Sequence, residues 1–320
     1  MKRLNAVIWT GALIALALVA PYFFYPVFLM RALCLALFAC AFNLLLGYVG
    51  LLSFGHAAFL GGAAYVTAHA VKVWGFPPEL GILAGVAVAA LLGAGFGWLA
   101  IRRQGIYFAM ITLALAQMVA FFALEVPFTG GEDGIQAVPR GHLFGLIDLD
   151  NTLVMYYFVL AVFLAGFAIV ERTINSPFGQ VITAIRENEP RAISLGYRAE
   201  RYKLLAFVLS AALAGLAGAL KTLVLQSASL TDVDWTTSGA VVLMTLVGGV
   251  GTPLGPVLGA FIVVAMENYL AQTGSWVTTI EGIIFVVCVL TFRRGIVGVL
   301  TPYLTGSRAP AVAEPSAETP

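Results

Sequence analysis

The sequence predicts an all-α polytopic membrane protein, and three observations predict it. Hydrophobic residues make up 61% of the 320 positions and charged residues only 10%, against the roughly 45–50% and about 25% usual in soluble domains. Mean hydropathy is +0.97. Polar residues, prolines and glycines divide the chain into apolar runs near the roughly 20 residues that one bilayer-spanning helix needs. Such a chain has little room for a soluble domain, and its net charge of +1 gives no nucleic-acid footprint.

Ten apolar segments follow in order, at roughly 4–24, 27–47, 51–71, 80–101, 105–125, 151–170, 203–225, 238–248, 256–272 and 277–292. The first begins at Met1-Lys2-Arg3 and is too long for a typical cleaved signal sequence, so it is read as a retained span. The eighth is short, and the third and ninth open in glycine-rich turns, which makes these three the candidates for broken or re-entrant segments.

Placing the N-terminus in the cytoplasm and alternating sides puts thirteen of the seventeen Lys and Arg inside, as the positive-inside rule requires. The exceptions are Arg31, Lys72, Arg140 and Lys221. Both ends are therefore expected in the cytoplasm. A transmembrane domain over 1–306 carries an outer loop at 126–150 and a long cytoplasmic loop at 172–203. The Pro- and Ala-rich stretch 307–320 has no apolar period and reads as a disordered tail. Cys34, Cys40 and Cys288 lie in apolar runs without metal-ligand spacing and read as small buried hydrophobes, so no metal site is expected.

Small residues four apart let membrane helices approach closely. Gly93 and Gly97 form one row, Ala211, Gly215 and Ala219 a second, and Gly251, Gly255 and Gly259 a third. The third lies in GGVGTPLGP from Gly248, where glycines and prolines cannot continue a regular helix. A similar break runs from Gly47 through Gly50, Ser53 and Gly55 to His56. Opened backbone at membrane depth must be buried in protein or line an aqueous cavity, so Gly47, Gly50, Ser53, Gly55, His56, Gly248, Gly249, Gly251 and Thr252 are the candidate translocation path. His56 carries two readings, a titrating group or a neutral ring bonded across a packed interface. Glu267 and Glu281 are candidate ion-coupling carboxylates.

The loop from Glu171 to Lys203 holds six basic and four acidic residues and predicts two short helices. Ser176-Pro177 starts the first, and Val181, Ile182 and Ile185 give it an apolar face. Pro190 opens the second and Gly196 ends it. A hairpin of this size suits a groove on another protein, or a helix lying on the membrane surface.

Together these stretches resemble the permease subunits of branched-chain amino acid ABC importers, specifically the longer of two paired permease types. The resemblance is carried by NLLLGYVGLLSFGHAAFLGGAAYV from Asn43, GIYFAMITLALAQM from Gly105, FTGGEDGI from Phe128, SPFGQVITAIRENEPRAISLGY from Ser176, YKLLAFVLSAALAGLAGAL from Tyr202 and LVGGVGTPLGPVLGA from Leu246. It implies an inner-membrane, non-enzymatic transport subunit. Its partners would be a homologous second permease, two ABC ATPase subunits and a periplasmic binding protein, with ATP bound only by the ATPases and no cofactor on this chain. The loop would be the coupling helix, with Arg186, Glu187, Glu189, Arg191, Ala192 and Gly196 as contact residues; Pro190 and Arg191 replace the alanines usual at that motif. Independently, the sequence has no Gly-Lys dipeptide and so no Walker A loop to cradle phosphates. Urea, short amides or aromatic acids are alternative cargoes, and a proton-driven secondary transporter using Glu267, Glu281 or His56 is the alternative of a different class.

Overall fold

The computed structural model describes residues 15–270 together with 282, 283, 286, 295 and 297. The first and tenth apolar segments, Glu281 and the tail therefore lie wholly or largely outside the described residues. Helix α1 (Pro26–Asn43) runs on as a π-helix over Leu44–Val49. There follow α2 (His56–Lys72), α3 (Pro78–Ala100), α4 (Ile106–Glu125), α5 (Thr152–Ile174), α6 (Pro177–Glu187), α7 (Glu189–Ser194), α8 (Ala199–Leu225), α9 (Trp235–Gly248) and α10 (Gly255–Leu270). The described residues also include an antiparallel hairpin of two-residue strands inside the 126–150 loop, pairing His142 with Asp148 and Leu143 with Ile147.

Five described helices are long and apolar enough to cross a bilayer: α1 with its π extension, α3, α4, α5 and α8. The segments expected to be broken form helices of 17, 14 and 16 residues, namely α2, α9 and α10. The late start of the third segment's helix has a local cause. The third apolar segment does not begin a helix at Leu51, because Gly50 (φ 80°) turns the chain and the backbone stays non-helical until His56.

Helix α8 is the packing hub, set against α1, α2 and α3. The predicted small-residue rows meet there: a Cβ on Gly93 of α3 would strike Ala211 of α8, and one on Gly215 would strike Ala89. Gly218 abuts the backbone carbonyl of Leu60 on α2. Around this seam α1 is almost wholly buried, and α10 lies along it so that Asn43 meets Thr252 at one end while Arg31 meets Glu267 at the other.

The four cations that broke the charge rule are all tied down at the end of the bundle opposite α6 and α7. Arg31 pairs with Glu267 at 2.5 Å. Lys72 donates to the Gln136 carbonyl at 2.5 Å. Arg140 donates to the Leu223 and Val224 carbonyls at 3.3 and 3.0 Å, filling acceptors left open at the end of α8. Lys221 is paired with the buried Asp232. The 126–150 loop is further stitched to the turn after α8, where Ile135 bridges Ala228.

Burying a side chain where Gly218 meets Leu60 forces backbone apart. Gly218→Val is expected to lower the melting temperature of the detergent-purified protein by at least about 5 °C. Gly95→Ala, at an exposed position of α3 with nothing within 4 Å, is expected to leave it within about 1 °C; equal behaviour of the two variants contradicts the seam.

Candidate functional site

The two glycine breaks, far apart in sequence, come together at one end of the bundle. The link is Asn43, the last residue of α1, whose side chain is 2% exposed. Its Nδ2 donates to the Thr252 carbonyl at 3.0 Å, and its Oδ1 accepts from the Gly251 amide at 2.9 Å. Gly47 has to be glycine, since a Cβ there would come within 2.7 Å of the Gly251 nitrogen. Gly248 and Gly259 do the same for the turn between α9 and α10, each meeting the opposite helix backbone. Thr252 completes that turn by donating to the Gly249 carbonyl at 2.8 Å and accepting from the Gly255 amide at 3.2 Å.

The loop helices sit directly on this junction. Ser176 caps α6 by accepting from the Gly179 amide at 3.2 Å, and Asn188 caps α7 by accepting from Arg191 N at 3.0 Å. Ile182 and Ile185 are the buried face of α6, and Ala192 of α7 packs with Ile185 and Ala199. Gly196 ends the hairpin in a left-handed conformation, φ 90°. From this platform Arg186 donates Nη1 to the Gly47 carbonyl, an acceptor that a regular helix would have used internally. Its stem lies over Gly50, where a Cβ would come within 2.9 Å of Arg186 Cγ.

A cleft of about 550 Å³ opens between the break and the loop, lined among others by Gly50, Leu51, Arg186, Glu187 and Glu189. Glu189 is turned inward: it accepts from Lys203 at 2.6 Å and from Gln104 at 2.5 Å, joining α7 to the start of α8 and to the α3–α4 turn. Lys203 is only 4% exposed. Arg191 is exposed on the outer side of α7, and Ala192 faces inward.

Ser53, Gly55 and His56 lie apart from this junction, deeper in the bundle. The non-helical stretch before α2 is anchored by the Phe54 amide donating to Thr112 Oγ1 at 3.2 Å, and the first turn of α2 by Ala57 N donating to Ser238 Oγ at 2.9 Å. Ser53 Oγ accepts from the Gly55 amide at 3.2 Å. The His56 ring is fully buried among Phe38, Phe42, Phe59 and Phe207, with Nε2 2.9 Å from Ser210 Oγ, which donates to the Ala41 carbonyl at 2.5 Å. Of its two readings, the contacts favour the packed, cross-helix bond. Glu267, the other described candidate for ion coupling, is committed to Arg31.

The residues reasoning from sequence missed are Asn43, Gln104 and Lys203. Asn43 carried a usable signal, an amide inside an 18-residue apolar helix, where a polar side chain needs a partner. Gln104 and Lys203 looked like ordinary loop polarity; only the fold brings them to Glu189.

Opened backbone, a cleft and the loop hairpin thus meet at one junction, and residues 26–291 match the family described as branched-chain amino acid transport system, permease component. The chain belongs to that family. The high-affinity branched-chain amino acid permease LivM of Escherichia coli is 26% identical over 289 residues, covering 82% of this chain and 67% of LivM. The ribose import permease RbsC of Bacillus subtilis is 30% identical over 196 residues, 56% of this chain and 58% of RbsC. The autoinducer 2 import permease LsrC of Klebsiella pneumoniae is 29% identical over 195 residues, 58% and 53% of the two chains. No solved structure matches. The matched region of this permease includes both breaks and the whole loop hairpin.

A buried pair broken on one side leaves an uncompensated charge, whereas removing both partners is mild. Lys203→Met alone is expected to destabilise the permease by about 3 kcal/mol, read as a fall in melting temperature. The double variant Lys203→Met with Glu189→Leu is expected to recover most of the loss, and additive losses would show that the two side chains act independently.

Proposed function

We propose that this chain is the permease subunit of an ATP-driven importer of branched-chain or related amino acids, in which the α6–α7 hairpin transmits the stroke of a separate ATPase to the glycine breaks. The observation that carries this reading is the bond from Arg186, on the hairpin, to the Gly47 carbonyl, at the break itself. A hairpin built only to lie on the membrane has no need of a contact with the opened backbone of a spanning helix. Its outward side also suits docking: Ile193 and Leu195 are 55% and 71% exposed, apolar knobs beside Arg191, with the size expected for a groove on a partner.

In this mechanism the partners are two ATPase subunits on the hairpin side, a homologous second permease beside this one, and a binding protein on the opposite face. The hairpin side is cytoplasmic, as the distribution of Lys and Arg requires, and the membrane is the inner membrane. When the ATPases close, α6 shifts, Arg186 leaves or re-forms its bond to Gly47, and the junction held by Asn43 changes its angle. The bond is charge-assisted, so its net worth of about 1.5–3 kcal/mol is enough to bias two states of the junction by tenfold or more. The cleft beside Gly50 then opens or closes without any covalent chemistry on this chain.

The amino-acid cargo rests on the length of the match to LivM, which exceeds that to the ribose and autoinducer permeases. Urea, short amides and aromatic acids remain within the same mechanism, because cargo choice falls largely to the binding protein. The proton-driven alternative has lost support at two of its three residues, since Glu267 pairs with Arg31 and His56 is enclosed by aromatic rings.

Two measurements test the reading. In the reconstituted complex, Arg186→Ala is expected to cut substrate uptake by at least about tenfold while ATP hydrolysis persists, the signature of uncoupling; unchanged uptake sinks the role of the bond. The purified chain alone in liposomes under a proton gradient is expected to show no uptake, and accumulation without ATP would replace the importer reading by a secondary transporter.

A further inference from the structure

A second recess lies on the far side of the hairpin, at the start of α8. It encloses about 380 Å³ and is lined by Gly196, Tyr197, Arg198, Arg201, Tyr202 and Leu205. Its makeup changes along the helix. Arg198 and Arg201 lie one turn apart on the exposed side of α8, and Leu205, 60% exposed, follows one turn further in, about 6 Å along the axis. Beyond Leu205 the helix is uninterruptedly apolar as far as Lys221 apart from Ser210. The step from two guanidiniums to an exposed leucine matches the order of headgroup and acyl layers along the surface of one helix.

The recess is built rather than incidental. Tyr202 is held by stacking on Phe178, with centroids 5.8 Å apart, and Tyr197 meets it edge-on at 6.1 Å. The left-handed Gly196 lets the chain turn out of the way. Among the described residues neither Arg198 nor Arg201 has an ion-pair partner or a side-chain hydrogen bond. That contrasts with Arg31, Arg140 and Arg186, each of which is committed within the fold. The recess also opens at the N-terminus of a 27-residue helix whose N-cap makes no side-chain bond, where the macrodipole favours an anion.

We propose that this recess seats one anionic phospholipid, its phosphate between Arg198 and Arg201 and its first acyl carbons against Leu205. Guanidinium forks suit phosphate oxygens, and juxtamembrane arginine clusters attract anionic headgroups. An acidic segment of protein would use the two arginines but not the leucine at acyl depth. The bound lipid steadies the junction of hairpin and α8, because Tyr197 and Arg198 are the residues connecting them.

Native mass spectrometry of the full chain in detergent tests this with dioleoyl phosphatidylglycerol and dioleoyl phosphatidylcholine as probes. The protein is expected to retain one phosphatidylglycerol in preference to phosphatidylcholine, and Arg198→Gln with Arg201→Gln to weaken that retention about thirtyfold. Arg102→Gln with Arg103→Gln, at the same end of the bundle, is expected to retain the lipid. Leu205→Gln is expected to weaken lipid retention several-fold. Retention unchanged in the Arg198 and Arg201 variant, or lost equally in the Arg102 and Arg103 variant, overturns the site. Displacement of the lipid by millimolar inorganic phosphate, with Leu205→Gln silent, overturns it in favour of a free anion. Loss of ATPase binding by the Arg198 and Arg201 variant in lipid-free detergent overturns it in favour of a protein contact.

Discussion

An amide side chain enclosed in an apolar bundle has donors and acceptors to satisfy and no water with which to satisfy them. Asn43 meets that demand with the backbone of a segment more than two hundred residues away, donating to Thr252 and accepting from Gly251. The pairing is possible because the turn between α9 and α10 has abandoned helical bonding, so that the Gly251 amide and the Thr252 carbonyl are free. The breaks and the amide thus require one another: without the breaks Asn43 is an unpaired polar group, and without Asn43 two peptide groups lose their partner. Gly47 enforces the approach by leaving no room for a side chain between the two backbones. The position of α10 beside α1, the closeness of the α9–α10 turn and the shape of the cleft at Gly50 all depend on this contact.

The rest of the bundle is organised to be stiff around it. Along α8, small residues bring α2 and α3 to backbone contact, a mode of association suited to a solvent that offers no hydrophobic drive between helices. The opposite end is held by polar stitches, from Arg31 to Glu267, from Lys221 to Asp232 and from Arg140 to the end of α8. A largely buried pair such as Lys221 with Asp232 adds specificity of placement more than net stability. The effect of the stitches is to fix the helix ends that face away from the hairpin, which leaves the hairpin end as the place where a change of angle costs least.

Much of this could be read from residues. The runs of apolar sequence gave helices, the rows at Gly93 and Ala211 packed against each other, and Ser176-Pro177 and Gly196 bounded the hairpin as their backbone preferences dictate. The two glycine stretches look alike in sequence, and what the fold reveals is physical contact between them. What stayed hidden was pairing. Sequence distance conceals that Asn43 answers Gly251, that Lys203 and Gln104 neutralise Glu189, and that Asp232 waits for Lys221. Glu189 shows the consequence most clearly, since its two internal partners, Lys203 and Gln104, are brought to it only by the fold. The start of the third segment was hidden for a related reason: hydropathy registers Leu51 and Leu52 as membrane sequence, but not that Gly50 has already turned the backbone out of the helix.

The way the two breaks are secured decides which can move. The start of α2 is pinned from two sides at depth, by Thr112 of α4 and Ser238 of α9, and His56 beside it is enclosed by four aromatic rings from α1, α2 and α8. Disturbing that region means breaking several contacts in different helices together. The junction at Gly47 and Gly50 is held instead by single side chains, Asn43 within the bundle and Arg186 from the hairpin. Glycine at both positions removes the steric barrier to a new backbone angle, and the π-helical turn already departs from regular bonding. In the proposed coupling, a force applied to α6 reaches the Arg186 bond to Gly47 before it meets the packed core. Glu189 and Lys203 join α7 to the base of α8, and in that proposal this tie lets the hairpin act on Gly47 as one piece.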